Sequence, residues 1–304
     1  MDRQIAHHLL LACGASYSHI IDPRPAGWLG EPLRIERGVP PWRTTIDVAL
    51  TGRFAEGVAI AFRGTLPPIG SLHSALEVMF DWANNGAASC RPHPDWPGRV
   101  HRGFAQSLCR LWNDSADSPG LEPVVDAMLA EGGPRRLYLT GHSKGGALAN
   151  LFAWRAARTW PDLPIEVATF GSARAGNEAF AQAFEADPRI DCTRYETALD
   201  MIPYLPMGWD REDAVKATVR KMWPALLNGD YRPVGRRVTA TATLPEWRER
   251  KAAELRAMFA GGFHPAAWRH DFLGAHLIGP GTDYDALVAR EECGSGADAD
   301  SQPG

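Results

Sequence analysis

A chain of 304 residues is long enough for one large α/β domain and does not require a second core. Its 45% apolar and 22% charged residues exclude wholesale disorder, and a net charge of -4 with no basic stripe argues against a protein that coats nucleic acid. No run reaches the roughly 18 apolar residues needed to cross a bilayer.

In chain order, the first expected element is a helix in which Ile5, Leu9, Leu10 and Ala12 form a stripe suited to packing on the domain. The run before Cys13 is not read as a secretory signal. Only four apolar residues separate His8 from Cys13, whereas an apolar signal core needs about 7 to 15. The expectation is therefore a cytoplasmic protein, with export by a route lacking a cleavable signal as the alternative. TTIDVAL (44–50) and GVAIAFRG (57–64) read as paired strands with Gly52 in the turn between them. After Pro67, Pro68 and Gly70, Ser71 can cap a helix in which Leu72, Ala75, Leu76, Met79 and Phe80 share one apolar face. RRLYLTG (135–141) is a buried strand, followed by a helix from Gly145 that Pro161 stops. EVATFGS (166–172) and CTRYETA (192–198) are further strands, separated by the helical NEAFAQAFEA (177–186).

This alternation predicts an α/β fold with a mostly parallel, doubly wound sheet and helices on both faces. One domain is expected over residues 1–292. Within it, 210–264 is irregular and reads as a variable insertion, with a strand at 237–243 and a charged helix at 245–260. The segment 293–304 has almost no apolar residue and reads as a disordered tail. Cys13, Cys90, Cys109, Cys192 and Cys293 show no metal-binding spacing and read as free thiols.

The sharpest chemical signal is Gly141-His142-Ser143-Lys144-Gly145-Gly146, where a buried strand gives way to a helix. A serine hydroxyl is a weak nucleophile, so it must stand on a tight turn within reach of both a base and the substrate. Gly141 and Gly145 allow strand and helix to approach where a β-carbon would clash. The backbone N–H of Lys144, at the positive end of the helix, is a first donor to an oxyanion. His142 cannot fold back onto its neighbour and is expected to pack beneath the turn. The alternative is a tight turn of purely structural purpose. A hydrolase of this topology places its acid and then its histidine after the serine. Asp200 meets that order at the end of a strand, its alternative being a turn cap. His264, His270 and His276 all follow Asp200, and spacing alone does not choose among them.

Several blocks in order resemble the class 3, fungal-type lipase family of the α/β-hydrolase superfamily. They are AIAFRGT (59–65), VHRGF (100–104), LTGHSKGGALA (139–149), TFGSARAGNEAF (169–180), RYETALDMIPYLP (194–206) and, more weakly, YRPVGRRV (231–238). Ala173 stands where the family usually has proline, and Lys144 where it usually has leucine. The resemblance implies hydrolysis of carboxylic esters of lipids through an acyl-enzyme on Ser143, with Asp200 as the acid and no cofactor. It implies that His276 is the base, because Asp283-Tyr284-Asp285-Ala286-Leu287 follows it as a helix follows the family's histidine; His270 is the runner-up. It also implies that Thr65 is the second oxyanion donor and that the segment 66–85 is a lid closing the site in water and opening at a lipid surface. The expected partner is a lipid or ester substrate, not nucleic acid. Two alternatives remain: a phospholipase A, in which the Lys144 ammonium faces an anionic head group rather than solvent, and a catalytically inactive binding module on the same fold.

Overall fold

A computed structural model describes residues 1–17, 27–39, 44–65, 90–197, 200, 202–206, 230–239, 276, 278 and 282–289. The expected lid at 66–85, the helix at 245–260, His264, His270 and the tail at 293–304 lie outside the described residues.

Seven strands form the main sheet: β1 (Leu33–Val39), β2 (Thr44–Phe54), β3 (Gly57–Phe62), β6 (Leu137–His142), β7 (Ile165–Phe170), β9 (Ile190–Glu196) and β11 (Arg236–Thr239). They lie side by side in that order. β1, β2 and β3 are antiparallel, and every pairing from β3 to β11 is parallel. Parallel strands need crossovers, and these are supplied by helices on the two faces. The mostly parallel, doubly wound sheet expected from the sequence is the fold observed. A smaller antiparallel sheet holds β4 (Cys90–His93), β5 (Trp96–His101), β8 (Gly176–Asn177) and β10 (Tyr231–Arg232), in the order β10-β8-β5-β4.

Alternation along the central strands feeds two separate cores. Val58, Ile60, Phe62, Leu137, Leu139, Ile165 and Val167 face one side. There they meet α2 (Arg102–Trp112), α3 (Leu121–Ala130) and α4 (Lys144–Thr159) through Phe104, Leu108, Trp112, Val125, Leu148 and Phe152. Ala59, Ala61, Tyr138, Ala168 and Phe170 face the other side. They meet α1 (Arg3–Ala15) through Ile5, Leu9 and Leu10, and α6 (Asp283–Ala289) through Tyr284, Leu287 and Val288. Burial on both faces explains why these strands read as continuous apolar runs. The helix α5 (Glu178–Glu185) is capped by the Asn177 side chain, which accepts from the Phe180 N–H at 3.2 Å. No helix among the described residues is long and apolar enough to cross a membrane.

Two expectations are corrected. Gly52 is not in the hairpin turn: β2 runs on to Phe54, Gly52 pairs with Ala59, and the turn is Ala55-Glu56. The glycine is there because the Trp28 ring lies against it, where an added β-carbon would come within 3.0 Å of Cε3. The second concerns the stretch read as an insertion, 210–264. Its described part, 230–239, supplies β10 and β11, and β11 is the edge of the main sheet beside β9. The strand expected at 237–243 overlaps β11 at Arg237, Val238 and Thr239, and what the sequence did not show is that it joins the main sheet.

Candidate active site

Strand β6 ends at His142 and helix α4 begins at Lys144, leaving Ser143 alone on the turn. Its backbone sits at φ 59° and ψ -127°, and Ser143 is the only non-glycine with positive φ among the described residues. Such a conformation costs on the order of 1–3 kcal/mol and persists only where its surroundings impose it. Here Ser143 N–H donates to the Phe170 carbonyl at 3.2 Å, and the Ser143 carbonyl accepts from Gly146 and Ala173 N–H, each at 3.1 Å. The flanking glycines are a steric necessity. A β-carbon on Gly141 would lie 2.1 Å from the Gly145 carbonyl oxygen, and one on Gly145 would lie 2.1 Å from that of Phe62. Lys144 N–H belongs to the first turn of α4, whose donors have no partner within the helix. Phe62 pairs with Gly141 across β3 and β6, so Arg63-Gly64-Thr65 leaves the sheet at the same end. Thr65 is half-buried there.

Asp200 follows β9 at this end and is fully buried. One carboxylate oxygen, Oδ1, accepts the Ile202 N–H at 2.8 Å. The other, Oδ2, lies 2.7 Å from His276 Nδ1 and also accepts the Tyr284 hydroxyl. With Nδ1–H given to a carboxylate, the imidazole is fixed in the tautomer whose Nε2 accepts a proton. That Nε2 is buried and makes no hydrogen bond among the described residues. The sequence-expected residues Ser143, Asp200 and His276 thus gather at one end of the sheet, with Lys144 N–H and Thr65 beside them. Among the described residues, their contacts contain no metal ligand set. Elsewhere His93, Asp95 and Cys109 hold potential ligand atoms within 4.8 Å of one another. There Arg155 already pairs with Asp95 at 3.1 Å and lies against Cys109, so the group reads as an ion-pair cluster.

The Lys144 side chain is neither solvated nor turned toward a head group. It is buried, and its Nζ lies 2.6 Å from Asp47 Oδ1. Asp47 Oδ2 accepts from Arg110 Nε at 2.8 Å and Nη2 at 2.6 Å. Burial alone would raise the Asp47 pKa, but the two cations outweigh it and hold the carboxyl below its usual range. Asp47 was missed by sequence reasoning, although an acid alone in the apolar run TTIDVAL is a signal that a buried cation must meet it. Asp47→Asn strands the buried ammonium and should destabilise the fold by about 3–5 kcal/mol, read from the urea midpoint at neutral pH. Because the folded pKa is depressed, this contribution is in place above the unfolded value of about 3.9 and is lost as pH falls through the folded value. The difference between wild type and variant should therefore narrow in acid.

A mostly parallel sheet carrying a serine on its strand-to-helix turn, with a His–Asp pair at the same end, defines an α/β-hydrolase. Residues 59–208 match the family described as Lipase (class 3). Those residues hold Ser143 and Asp200; His276 and Tyr284 lie beyond them. A lipase of Rhizopus niveus is 29% identical over 153 residues, which are 49% of this chain and 34% of that protein. Phospholipase A1-II 3 of Oryza sativa subsp. indica is 26% identical over 209 residues, 60% of this chain and 46% of that protein. The chain thus spans less than half the length of these two relatives. Among solved structures, the lipase from Rhizopus microsporus var. chinensis superposes with a TM-score of 0.57 at 18% identity, over 79% of this chain and 75% of that one, and so shares its fold.

Proposed function

We propose that the protein is a serine hydrolase of lipid carboxylic esters, working through an acyl-enzyme on Ser143. The observation that carries this reading is the hydrogen-bonded His276–Asp200 pair beside the strained serine turn, with Nε2 open to take a proton. His276 removes the Ser143 proton as Oγ adds to the ester carbonyl. Lys144 N–H and the Thr65 N–H and hydroxyl receive the developing oxyanion, each donor contributing about 3 kcal/mol when preorganised. His276 then protonates the leaving alcohol, and water repeats the sequence to release the acid. Asp200 stays ionised and stabilises the imidazolium.

Phospholipase A activity is a second reading, favoured by the rice relative that bears that name. It draws nothing from the Lys144 ammonium, which Asp47 occupies. A panel of p-nitrophenyl esters of rising chain length, run beside a labelled phospholipid, separates the two. Preferential release of fatty acid from the phospholipid would replace the first reading. A medium-chain ester should show a rise in rate as it aggregates; a smooth hyperbola would leave an esterase without interfacial response. Failure of a fluorophosphonate to label Ser143 would mark an inactive binding module.

A further inference from the structure

Tyr17, just past the end of α1 and outside residues 59–208, reaches into the site from a segment with no assigned role. Its hydroxyl accepts the Gly64 N–H at 3.0 Å and lies 2.8 Å from His142 Nδ1. A phenol that accepts from an amide still has its own proton to give, so Tyr17 donates to Nδ1. That leaves the His142 proton on Nε2, which lies 2.7 Å from the His276 carbonyl oxygen and donates to it. The two imidazoles lie face to face at a tilt, with centroids 4.2 Å apart and planes at 35°. Burial first, and the neighbouring His276 ring second, pull the His142 pKa down to about 3. His142 is therefore neutral throughout the working range, a fixed donor rather than a proton carrier.

One run of hydrogen bonds thus passes from Gly64 through Tyr17 and His142 to the main chain of His276. Asp200 fixes the His276 ring at Nδ1, but a side-chain bond alone leaves the ring free to swing with its backbone. The bond from His142 supplies a second point of attachment, on the residue before the nucleophile. At its far end the run ties down Gly64, the neighbour of Thr65. We propose that Tyr17 and His142 are positioning residues: together they hold the base against the serine turn and keep the end of β3 in step with it. This rests on the acyl-enzyme reading above. A misplacement of a fraction of an ångström between base and nucleophile is enough to slow proton transfer severalfold or more.

Tyr17→Phe removes one oxygen and keeps the ring. Active sites are titrated with a fluorophosphonate, and acylation by a p-nitrophenyl ester is then timed per titrated site. The variant should acylate about tenfold more slowly per site, with KM within about twofold of wild type and the number of titratable sites unchanged. His142→Phe should show a similar loss, and the double variant should be no slower than the worse single one, because both cut the same connection. A structural role alone would lower the count of titratable sites and leave the rate of each intact. Wild-type acylation per site in Tyr17→Phe, or losses that multiply in the double variant, would overturn the proposal. If His142→Phe does not fold, the per-site rate of Tyr17→Phe decides. A wild-type protein that is not labelled at Ser143 would instead remove the hydrolase reading, and this proposal with it.

Discussion

Ser143→Ala is expected to lower ester turnover by a factor on the order of 10⁵ to 10⁶ while leaving the fold as stable as wild type. The substitution deletes only the hydroxyl. The backbone bonds to Phe170, Gly146 and Ala173 that hold the turn are untouched, and alanine bears the same strain at φ 59° as serine does. Ser143→Gly separates function from stability more sharply. It is equally inactive, but glycine adopts positive φ without cost, so the variant should be more stable than wild type by about 1 kcal/mol. Urea unfolding of the three proteins beside a p-nitrophenyl ester assay checks both halves. Turnover by Ser143→Ala within 100-fold of wild type would remove Ser143 from the chemistry. A glycine variant less stable than wild type would mean that the side chain, not the surrounding bonds, holds the turn.

What could be read from the sequence follows from how local each feature is. The strands β3, β6 and β7 were plain because burial on both faces makes them mostly apolar. The serine turn was plain because its steric demands fall on immediate neighbours, Gly141 and Gly145. Asp200 was placed by chain order. His276 was separated from His270 and His264 only by the resemblance, since what orients it, Asp200, is far away in sequence.

The features that were missed all depend on pairing at long range. Lys144 looked like a surface lysine because nothing near it in sequence is acidic; its partner is 97 residues away on another strand. Tyr17 meets His142 across 125 residues, and Tyr284 meets Asp200 across 84. Such pairs leave no periodic trace. The strand expected at 237–243 overlaps β11 at Arg237, Val238 and Thr239, but its place at the edge of the main sheet beside β9 could not be read, because strand order is also a long-range property.

Asp200→Asn tests the orienting role most severely, because the carboxylate is used on both oxygens. Oδ1 accepts the Ile202 N–H at 2.8 Å, while Oδ2 faces His276 Nδ1 and the Tyr284 hydroxyl. Asparagine has one acceptor and one donor. If its carbonyl stays with Ile202, the amide nitrogen faces His276 and donates to Nδ1, which drives the ring proton to Nε2. A protonated Nε2 cannot take the proton of Ser143. If the amide is reversed, its N–H₂ group meets the Ile202 N–H at hydrogen-bond distance, donor against donor, in a fully buried place. The first arrangement is therefore preferred, and the base is left in the wrong tautomer. Turnover should fall by about 10⁴-fold, equivalent to roughly 5.4 kcal/mol of transition-state stabilisation. KM should change little, because nothing in contact with substrate has moved. Fluorophosphonate labelling of Ser143 should slow in parallel yet still reach completion, since the nucleophile and its turn are intact. A rate within tenfold of wild type would show that Asp200 does not set the His276 tautomer, and the acid would have to be sought elsewhere.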